Sequence, residues 1–135
     1  MPGLKILIAD DHEAVRKGIR SLLSCQDGWE VLAEAVDGRD AVGKAFQLQP
    51  DVILLDVGMP HMNGFEAARK ILSSLPDSKV VMVTVNADKH SAQEAKHIGA
   101  RGFISKIDVV RDLVPAIETV FEGGRFFPLL KPDQA

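Results

Sequence analysis

The sequence predicts an α/β sandwich in which helices cover both faces of a doubly wound, five-stranded parallel sheet. Short apolar blocks alternate along the chain with longer amphipathic stretches, which is the order expected of repeated βα units. Several blocks are continuously apolar, as strands buried on both faces are. The connections are short, so the crossovers between parallel strands must be right-handed. The chain has 135 residues, 46% of them hydrophobic, which is enough for one compact core.

Five strands and five helices are predicted, each from its own run of apolar residues. The strands are 5–9, 30–35, 52–55, 80–83 and 102–104. On each helix, apolar residues at three- and four-residue steps mark a buried stripe. The stripes are Val15, Ile19, Leu22 and Leu23; Ala41, Ala45 and Leu48; Phe65, Ala68, Leu72 and Leu75; Ala92, Ala95 and Ile98; and Val110, Leu113, Ile117, Val120 and Phe121.

Residues at the helix ends agree with this pattern. The predicted N-caps are Asp37, Asn63 and Asp108, and the predicted C-terminal stops are Gly99 and Gly123. Glu66 follows Asn63 by three residues, which is the spacing of a capping box. We predict one domain at 1–122. The segment 123–135 contains two adjacent glycines and two prolines but no helical stripe, so we expect a tail or the start of a linker.

Composition excludes several classes of function. The chain has 16 Lys and Arg against 19 Asp and Glu, a formal net charge of −3, which is not the basic character of a free-standing nucleic-acid binder. No apolar run approaches the roughly 18 residues needed to span a bilayer, and the N-terminus lacks a signal peptide. The single cysteine, Cys25, forms no internal disulfide. We expect a soluble, cytoplasmic protein without a membrane partner.

Polar side chains follow four of the five predicted strands. Asp10 and Asp11 come after the first strand, Asp56 after the third, Thr84 after the fourth and Lys106 after the fifth. Because the carboxyl ends of parallel strands meet at one edge of a sheet, these side chains should lie together. Each residue taken alone has an ordinary interpretation as a cap, a turn, a strand former or a surface charge. Their joint placement favours a functional site.

The chemistry of these groups indicates a metal and a phosphoryl group. Neighbouring carboxylates raise one another's pKa unless a cation lies between them, and Mg²⁺ is the ion that carboxylates with a partial water shell suit. Lys106 would supply further positive charge. A carboxylate beside Mg²⁺ and an ammonium group can accept a phosphoryl group, because both cations neutralise charge on its oxygens.

Four motifs carry a specific resemblance. They are the pair Asp10 and Asp11, the run 51–64 (DVILLDVGMPHMNG), Thr84, and the run 99–106 (GARGFISK). Over 4–121 the chain resembles the receiver domain of two-component response regulators. The resemblance implies a flavodoxin-like fold with strand order 2-1-3-4-5 and five flanking helices. It also implies that Asp56 is the phosphoacceptor, phosphorylated by a sensor histidine kinase.

The resemblance further implies a metal site and a set of switch residues. Mg²⁺, with Mn²⁺ as the alternative, would be bound directly by Asp11, Asp56 and the Gly58 backbone carbonyl, and by Asp10 chiefly through water. Lys106 would pair with the phosphoryl group. The other implied roles are a phosphoryl hydrogen bond for Thr84 and positions beside the attacking water for Gly58 and Asn86. Phe103 would be an aromatic ring that turns inward as Thr84 moves; its ordinary interpretation is a core aromatic, and both can hold if the ring is partly buried.

Three further runs resemble the NarL/FixJ class, namely 10–23 (DDHEAVRKGIRSLL), 58–64 (GMPHMNG) and 123–127 (GGRFF). In that class a receiver usually precedes a helix-turn-helix DNA-binding domain, and none follows here. We expect a fragment of a transcription regulator, with a stand-alone receiver as the alternative. DNA would be contacted only through the absent output domain. The resemblance also predicts homodimerisation on phosphorylation, and an output surface on helix 4, strand 5 and helix 5.

One departure from the family pattern concerns the residue after the lysine. Many members have a cis proline there, whereas this chain has Ile107. A cis bond before a residue other than proline costs about 2.5 to 4 kcal/mol, so we predict a trans bond.

Alternative functions fit the sequence less well. An aspartyl-phosphate hydrolase needs a second aspartate two residues after the nucleophile, where this chain has Gly58. A flavin or nucleotide module lacks its phosphate-binding loop. The four histidines, His12, His61, His90 and His97, are not spaced for a zinc site, and we interpret all of them as structural or solvent-facing. The expected protein catalyses only its own phosphorylation and dephosphorylation.

Overall fold

The computed structural model describes residues 3–130, and its elements follow the predicted order. The strands are β1 (Leu4–Ala9), β2 (Trp29–Ala35), β3 (Val52–Leu55), β4 (Lys79–Thr84) and β5 (Gly102–Ser105). The helices are α1 (Glu13–Leu23), α2 (Gly38–Leu48), α3 (Gly64–Ser74), α4 (Lys89–Ile98) and α5 (Val109–Phe121). A short 3₁₀ turn, Lys106–Asp108, precedes α5. Every predicted strand is present, with ends shifted by at most one residue.

The sheet is parallel throughout, with strand order β2-β1-β3-β4-β5. This is the order that the resemblance implied, so that prediction is confirmed. The order reverses between β1 and β3, which places a crevice beyond the carboxyl ends of these two neighbouring strands. None of the helices within 3–130 combines the length and the apolar character that crossing a membrane requires.

The continuously apolar strands fill two separate cores, one on each face of the sheet. In β3, Ile53 and Leu55 belong to the core beneath α2, α3 and α4, while Val52 and Leu54 belong to the core beneath α1 and α5. Alternate residues therefore point to opposite faces, and both faces are buried. This explains why the strand blocks lack polar alternation.

Several helix ends follow the predicted caps. Asn63 and Glu66 form a reciprocal capping box at the start of α3. The Asp37 side chain accepts a hydrogen bond from the Asp40 amide at the start of α2. Gly99 ends α4 in the left-handed region, at φ 109°, where a residue with a Cβ is strained. These contacts fix where the helices leave the sheet edge.

Two helix starts differ from the expectation. Asp108 occupies the N-cap of α5, but its side chain makes no capping hydrogen bond because the 3₁₀ turn leads directly into the helix. Asp88, not identified from sequence, caps α4 by accepting a hydrogen bond from the Ser91 amide. The sequence feature that could have identified this cap is an aspartate three residues before a serine, at the start of a weak helical pattern.

The first part of the predicted tail packs against the sheet. The Phe126 amide donates to the Arg101 carbonyl, and the Phe126 carbonyl accepts from the Phe103 amide, each at 2.9 Å. Phe127 and Leu130 are buried in the core under α4. Short apolar pairs without periodicity gave no helical signal, yet they cover the outer edge of β5. Residues 131–135 of the predicted tail lie outside the described residues, and the boundary at 122 stays a prediction.

Candidate functional site

The carboxylates and the ammonium group predicted to meet do lie together at the carboxyl edge of the sheet. Asp10 and Asp11 follow β1, and Asp56 follows β3. The Lys106 Nζ, just after β5, lies 2.6 Å from Asp10 Oδ2 and 3.3 Å from Asp56 Oδ2. Lys106 thus reaches from the end of β5 to the acidic groups that follow the neighbouring strands β1 and β3.

These charged groups are largely withdrawn from solvent. Asp56 is 5% exposed and Asp10 is 2% exposed. Asp10 Oδ1 accepts a hydrogen bond from the His12 amide at 2.8 Å, and Asp56 Oδ1 accepts one from the Gly58 amide at 3.4 Å. Buried carboxylates need such partners, because an unpaired charge in the interior is costly.

Burial and charge act in opposite directions on the pKa values of the site. Burial and the neighbouring Asp10 raise the pKa of Asp56, and Lys106 offsets this only in part. Burial also opposes the positive charge of Lys106, but the contacts with Asp10 and Asp56 outweigh it and raise the pKa of Lys106. The ammonium group is therefore charged at neutral pH, and a further cation beside Asp56 would lower the raised pKa of that carboxyl.

The loop after β3 holds Asp56 in place through a close approach of α3. The Gly64 amide donates to the Val57 carbonyl at 2.8 Å, and the Asp56 amide donates to the Ala9 carbonyl at 2.9 Å. A Cβ on Gly64 would lie 2.1 Å from the Asp56 carbonyl oxygen, so only glycine fits there. The glycine in the motif 51–64 therefore has a direct structural reason.

A cleft of about 460 Å³ opens beside Asp56. Its walls include Gly58, Thr84, Asn86 and Lys106. Thr84 is buried, and its hydroxyl oxygen accepts a hydrogen bond from the Asn86 amide at 3.4 Å. The cleft therefore borders the predicted phosphoacceptor, the residues predicted to tune dephosphorylation, and the predicted phosphoryl-binding groups.

The acidic residues have the donor set that a divalent ion requires. Ligand atoms of Asp10, Asp11, His12 and Asp56 all lie within 4.8 Å of one another. Within residues 3–130, Asp11 Oδ1 is buried and accepts no hydrogen bond, so it can serve as a ligand of a cation. These residues fit the implied Mg²⁺, because carboxylate oxygens are its preferred protein ligands.

His12 is the residue of this cluster that sequence reasoning missed. Its imidazole Nδ1 lies 3.1 Å from Asp11 Oδ1 and 3.3 Å from Asp10 Oδ1. The side chain is 67% exposed, which agrees with the solvent-facing interpretation, but it borders the acidic pair as well. Its position directly after two aspartates was the available signal. His61, His90 and His97 are exposed, as predicted.

Phe103 lies on β5 and is fully buried. Its ring belongs to the same buried core as Ala92 and Ala95 of α4, so the ordinary interpretation as a core aromatic holds. A partly buried ring was expected, and the ring is instead completely enclosed. The peptide bond between Lys106 and Ile107 is trans, as predicted, since residues 3–130 contain no cis peptide bond.

Comparison with known proteins places the chain in a family. The family model described as "Response regulator receiver domain" matches residues 6–118. Response regulator GacA from Pseudomonas syringae pv. syringae is 42% identical over 123 residues, covering 91% of this chain and 58% of that protein. Transcriptional regulatory protein LnrK from Bacillus subtilis is 41% identical over 125 residues, covering 93% of this chain and 57% of that protein. The chain thus spans somewhat more than half the length of these relatives.

Solved structures give the same result. A two-component response regulator of the LuxR family from Aurantimonas sp. SI85-9A1 superposes with a TM-score of 0.89 at 31% identity, covering 98% of this chain and 92% of that chain. The response regulator domain of Thermotoga maritima CheB superposes with a TM-score of 0.84 at 30% identity, covering 89% of this chain and 97% of that chain. The predicted likeness to NarL/FixJ regulators is confirmed together with the fold. On the family model, these relatives and the shared architecture, the chain belongs to the response regulator receiver domain family.

Proposed function

We propose that this chain is a phosphorylation-activated switch in which Asp56 accepts a phosphoryl group from a sensor histidine kinase. One observation carries the proposal: a buried carboxylate with a raised pKa lies at the mouth of a cleft, 3.3 Å from the ammonium group of Lys106. We infer that this carboxylate acts as the nucleophile and that the cleft beside it accommodates the phosphoryl group.

The transfer step conserves atoms and charge. A carboxylate oxygen of Asp56 attacks phosphorus and forms an O–P bond while the P–N bond of a phosphohistidine breaks. The electron pair of that bond leaves with the imidazole nitrogen, so no oxidant or reductant is required. Mg²⁺ held by Asp10, Asp11, Asp56 and the Gly58 carbonyl would supply positive charge to the phosphoryl oxygens.

Lys106 and Thr84 would then share the added charge. Lys106 would pair with a phosphoryl oxygen, and the Thr84 hydroxyl would donate to another. A hydrogen bond to a charged oxygen contributes about 1.5 to 3 kcal/mol, whereas shifting a conformer from 1:99 to 99:1 takes roughly 5.5 kcal/mol. Thr84 therefore cannot complete the switch alone, and Lys106 and the surrounding loops must add the remainder. Phe103 would respond to the movement of Thr84.

The readout we propose is the face formed by α4, β5 and α5. This face would bind a second phosphorylated copy and would control a DNA-binding output domain outside this chain. The relatives named as response and transcriptional regulators, which are longer than the match, support that proposal. Phosphorylation and signalling would take place in the cytoplasm.

Acetyl phosphate with MgCl₂ tests the proposal directly. The intact mass of the chain should increase by one phosphoryl group, and Asp56→Asn should abolish the increase. Asp77→Asn is the matched control, because Asp77 is exposed in the loop before β4, away from the site, and that variant should be labelled like the unmodified chain. A gain that survives Asp56→Asn would reject the proposal. Turnover of phosphate esters in excess of protein would instead indicate a hydrolase.

A further inference from the structure

We infer that Arg16 is a positioning residue for the acidic site, because its guanidinium group holds the peptide that joins Asp10 to Asp11 and is itself held by Glu34. The inference rests on the proposed function, since Asp10 and Asp11 are the carboxylates that would bind Mg²⁺. Arg16 acts through the backbone of these residues rather than on the phosphoryl group. It lies within the run 10–23, and its sequence position alone assigned it no role.

The first contact joins Arg16 to the backbone between the two aspartates. Arg16 lies near the start of α1, and its Nη1 donates a hydrogen bond to the Asp10 carbonyl oxygen at 2.7 Å. That carbonyl and the Asp11 amide belong to one planar peptide group. A charged donor on this oxygen therefore fixes the rotation of the peptide, and with it the directions in which the two carboxylates leave the backbone. Hydrogen bonds from a charged donor are also stronger than those between neutral groups.

The second contact fixes the guanidinium group. Arg16 Nε donates to Glu34 Oε1 at 2.8 Å, and the Arg16 side chain is 12% exposed. Glu34 belongs to β2, where it lies opposite Ile8 of β1, and its backbone carbonyl accepts a hydrogen bond from Lys44 Nζ at 2.5 Å. Glu34 thus compensates a positive charge that would be costly to bury alone, and it places the guanidinium group next to the end of β1.

The two contacts together require the shape of arginine. The guanidinium group is flat and presents donors in several fixed directions, so Nε can face Glu34 while Nη1 faces the Asp10 carbonyl. A lysine ammonium is a compact point charge, and it would favour the Glu34 carboxylate over a neutral carbonyl. The substitution Arg16→Lys therefore separates the ion pair from the contact with the backbone.

Asp11 is the carboxylate that depends most on its backbone. The Asp10 carboxylate is fixed by the His12 amide and by Lys106. Asp11 Oδ1 accepts no hydrogen bond within residues 3–130, and the group that faces it at 3.1 Å is the imidazole of His12, whose side chain is 67% exposed. The direction of the Asp11 side chain is therefore set chiefly by the peptide that Arg16 holds. Partners that orient metal ligands typically account for about 10- to 100-fold in metal affinity or activity.

Arg20 supplies a matched control on the same helix. It lies one turn after Arg16 and pairs with the other carboxylate oxygen of Glu34, Oε2. Among the described residues, the hydrogen bonds of Arg20 do not include the Asp10 carbonyl. Arg20→Met therefore removes a positive charge and an ion pair with Glu34 but leaves the peptide between the two aspartates held. Any effect that depends only on charge near the site, or on the ion pairs of Glu34, should appear in both variants.

Calorimetric titration with MgCl₂ compares Arg16→Met with Arg20→Met. Mg²⁺ affinity should fall about tenfold or more in Arg16→Met and less than about threefold in Arg20→Met. Electrostatics alone predicts the opposite direction, because removing a positive charge near carboxylates strengthens the binding of a cation. Equal weakening in the two variants, or tighter binding in Arg16→Met, would overturn the inference.

Urea unfolding should first show that both variants are folded without denaturant. If Arg16→Met is not folded, Arg16→Lys takes its place, since it keeps a charge beside Glu34 while giving up the contact with the Asp10 carbonyl. Arg16→Lys should bind Mg²⁺ at least about threefold more weakly than Arg20→Met, and equal affinities would overturn the inference.

A carbonyl resonance reports the contact without any metal. In EDTA, the ¹³C resonance of the Asp10 carbonyl should shift in Arg16→Met and stay close to its original position in Arg20→Met, because Arg16 donates to that oxygen and Arg20 does not. The rate of Asp56 phosphorylation by acetyl phosphate gives the functional readout, and the defect of Arg16→Met should be largest at low MgCl₂ and shrink at saturating MgCl₂. A defect of the same size at every MgCl₂ concentration would overturn the inference, because Arg16 would then not act through the metal ligands.

The outcomes separate this inference from the proposed function. If acetyl phosphate labels Asp56 but Arg16→Met and Arg20→Met bind Mg²⁺ alike, only the role of Arg16 fails. If Asp56 is not labelled although Arg16→Met alone loses Mg²⁺ affinity, the proposed phosphoryl transfer fails and the role of Arg16 at the acidic site remains.

Discussion

Replacing Lys106 by methionine should destabilise the fold at neutral pH by leaving two buried carboxylates without their partner. At 2.6 Å and an effective dielectric constant of about 20, the attraction between Lys106 and Asp10 is about 6 kcal/mol. The cost of burying the lysine offsets part of that attraction. Removing one member of a buried ion pair typically costs about 3 to 5 kcal/mol, and we expect a loss at the lower end because Mg²⁺-free Asp56 can protonate.

The loss should depend on pH in a defined direction. Lys106 lowers the pKa of Asp56, so its removal raises further a pKa that burial and Asp10 already raise. An acid whose pKa is raised in the folded state loses stability as pH rises from its unfolded pKa through its folded pKa. The difference between Lys106→Met and the unmodified chain should therefore be largest at neutral pH and shrink towards pH 4.

Urea unfolding in EDTA at pH 7 and at pH 4.5 measures both effects, and MgCl₂ at pH 7 should restore part of the lost stability. Lys17→Met is the matched control, because Lys17 is exposed on α1, and its free energy of unfolding should change by no more than about 0.5 kcal/mol. The reasoning is refuted if Lys106→Met unfolds like the control, or if its deficit grows on acidification.

Two further substitutions test the packing that supports the site. Phe127→Ala should reduce the free energy of unfolding by about 3 to 5 kcal/mol, because Phe127 is buried in the core. Phe121→Ala, at a residue that is 36% exposed, should reduce it clearly less in the same urea titration. Equal losses would mean that residues 123–130 are not part of the fold. Gly64→Ala should lower the free energy of unfolding by about 1 to 3 kcal/mol, because the added Cβ would meet the Asp56 carbonyl oxygen. Gly18→Ala is the control: Gly18 lies in a helix and its Cβ would meet no atom within 4 Å beyond its chain neighbours and the backbone of its own helix, so the free energy of unfolding should rise by up to about 1 kcal/mol. Identical thermal midpoints for these two glycine variants would contradict the close approach of α3.

Much of the site could be predicted because its residues follow strands that are easily recognised. Val52–Leu55 is apolar throughout since both of its faces are buried, and the residue after it, Asp56, had to lie at the carboxyl edge. Lys106 followed from the same argument. The order of the strands did not come from periodicity, which says nothing about which strands are neighbours, and it was available only through the family resemblance.

The rest depends on distances that a sequence does not contain. Lys106 Nζ lies closer to Asp10 Oδ2 than to Asp56 Oδ2, a difference of less than an ångström that no sequence pattern encodes. His12 is the N-cap residue of α1, and its imidazole lies against the acidic pair that precedes it, a contact that the sequence alone does not reveal. Phe127 is buried by a turn after α5 that brings a short apolar pair onto the β5 edge, a contact without local periodicity.

Locating the phosphoryl group by peptide mass spectrometry tests the central claim most directly. The chain would be treated with acetyl phosphate and MgCl₂ and then reduced with borohydride, which converts an aspartyl phosphate to homoserine at the modified position. The account predicts homoserine at position 56 in the unmodified chain and none in a sample incubated without phosphodonor. Conversion at another aspartate, or no conversion at position 56 under conditions that phosphorylate a known receiver domain, would contradict it.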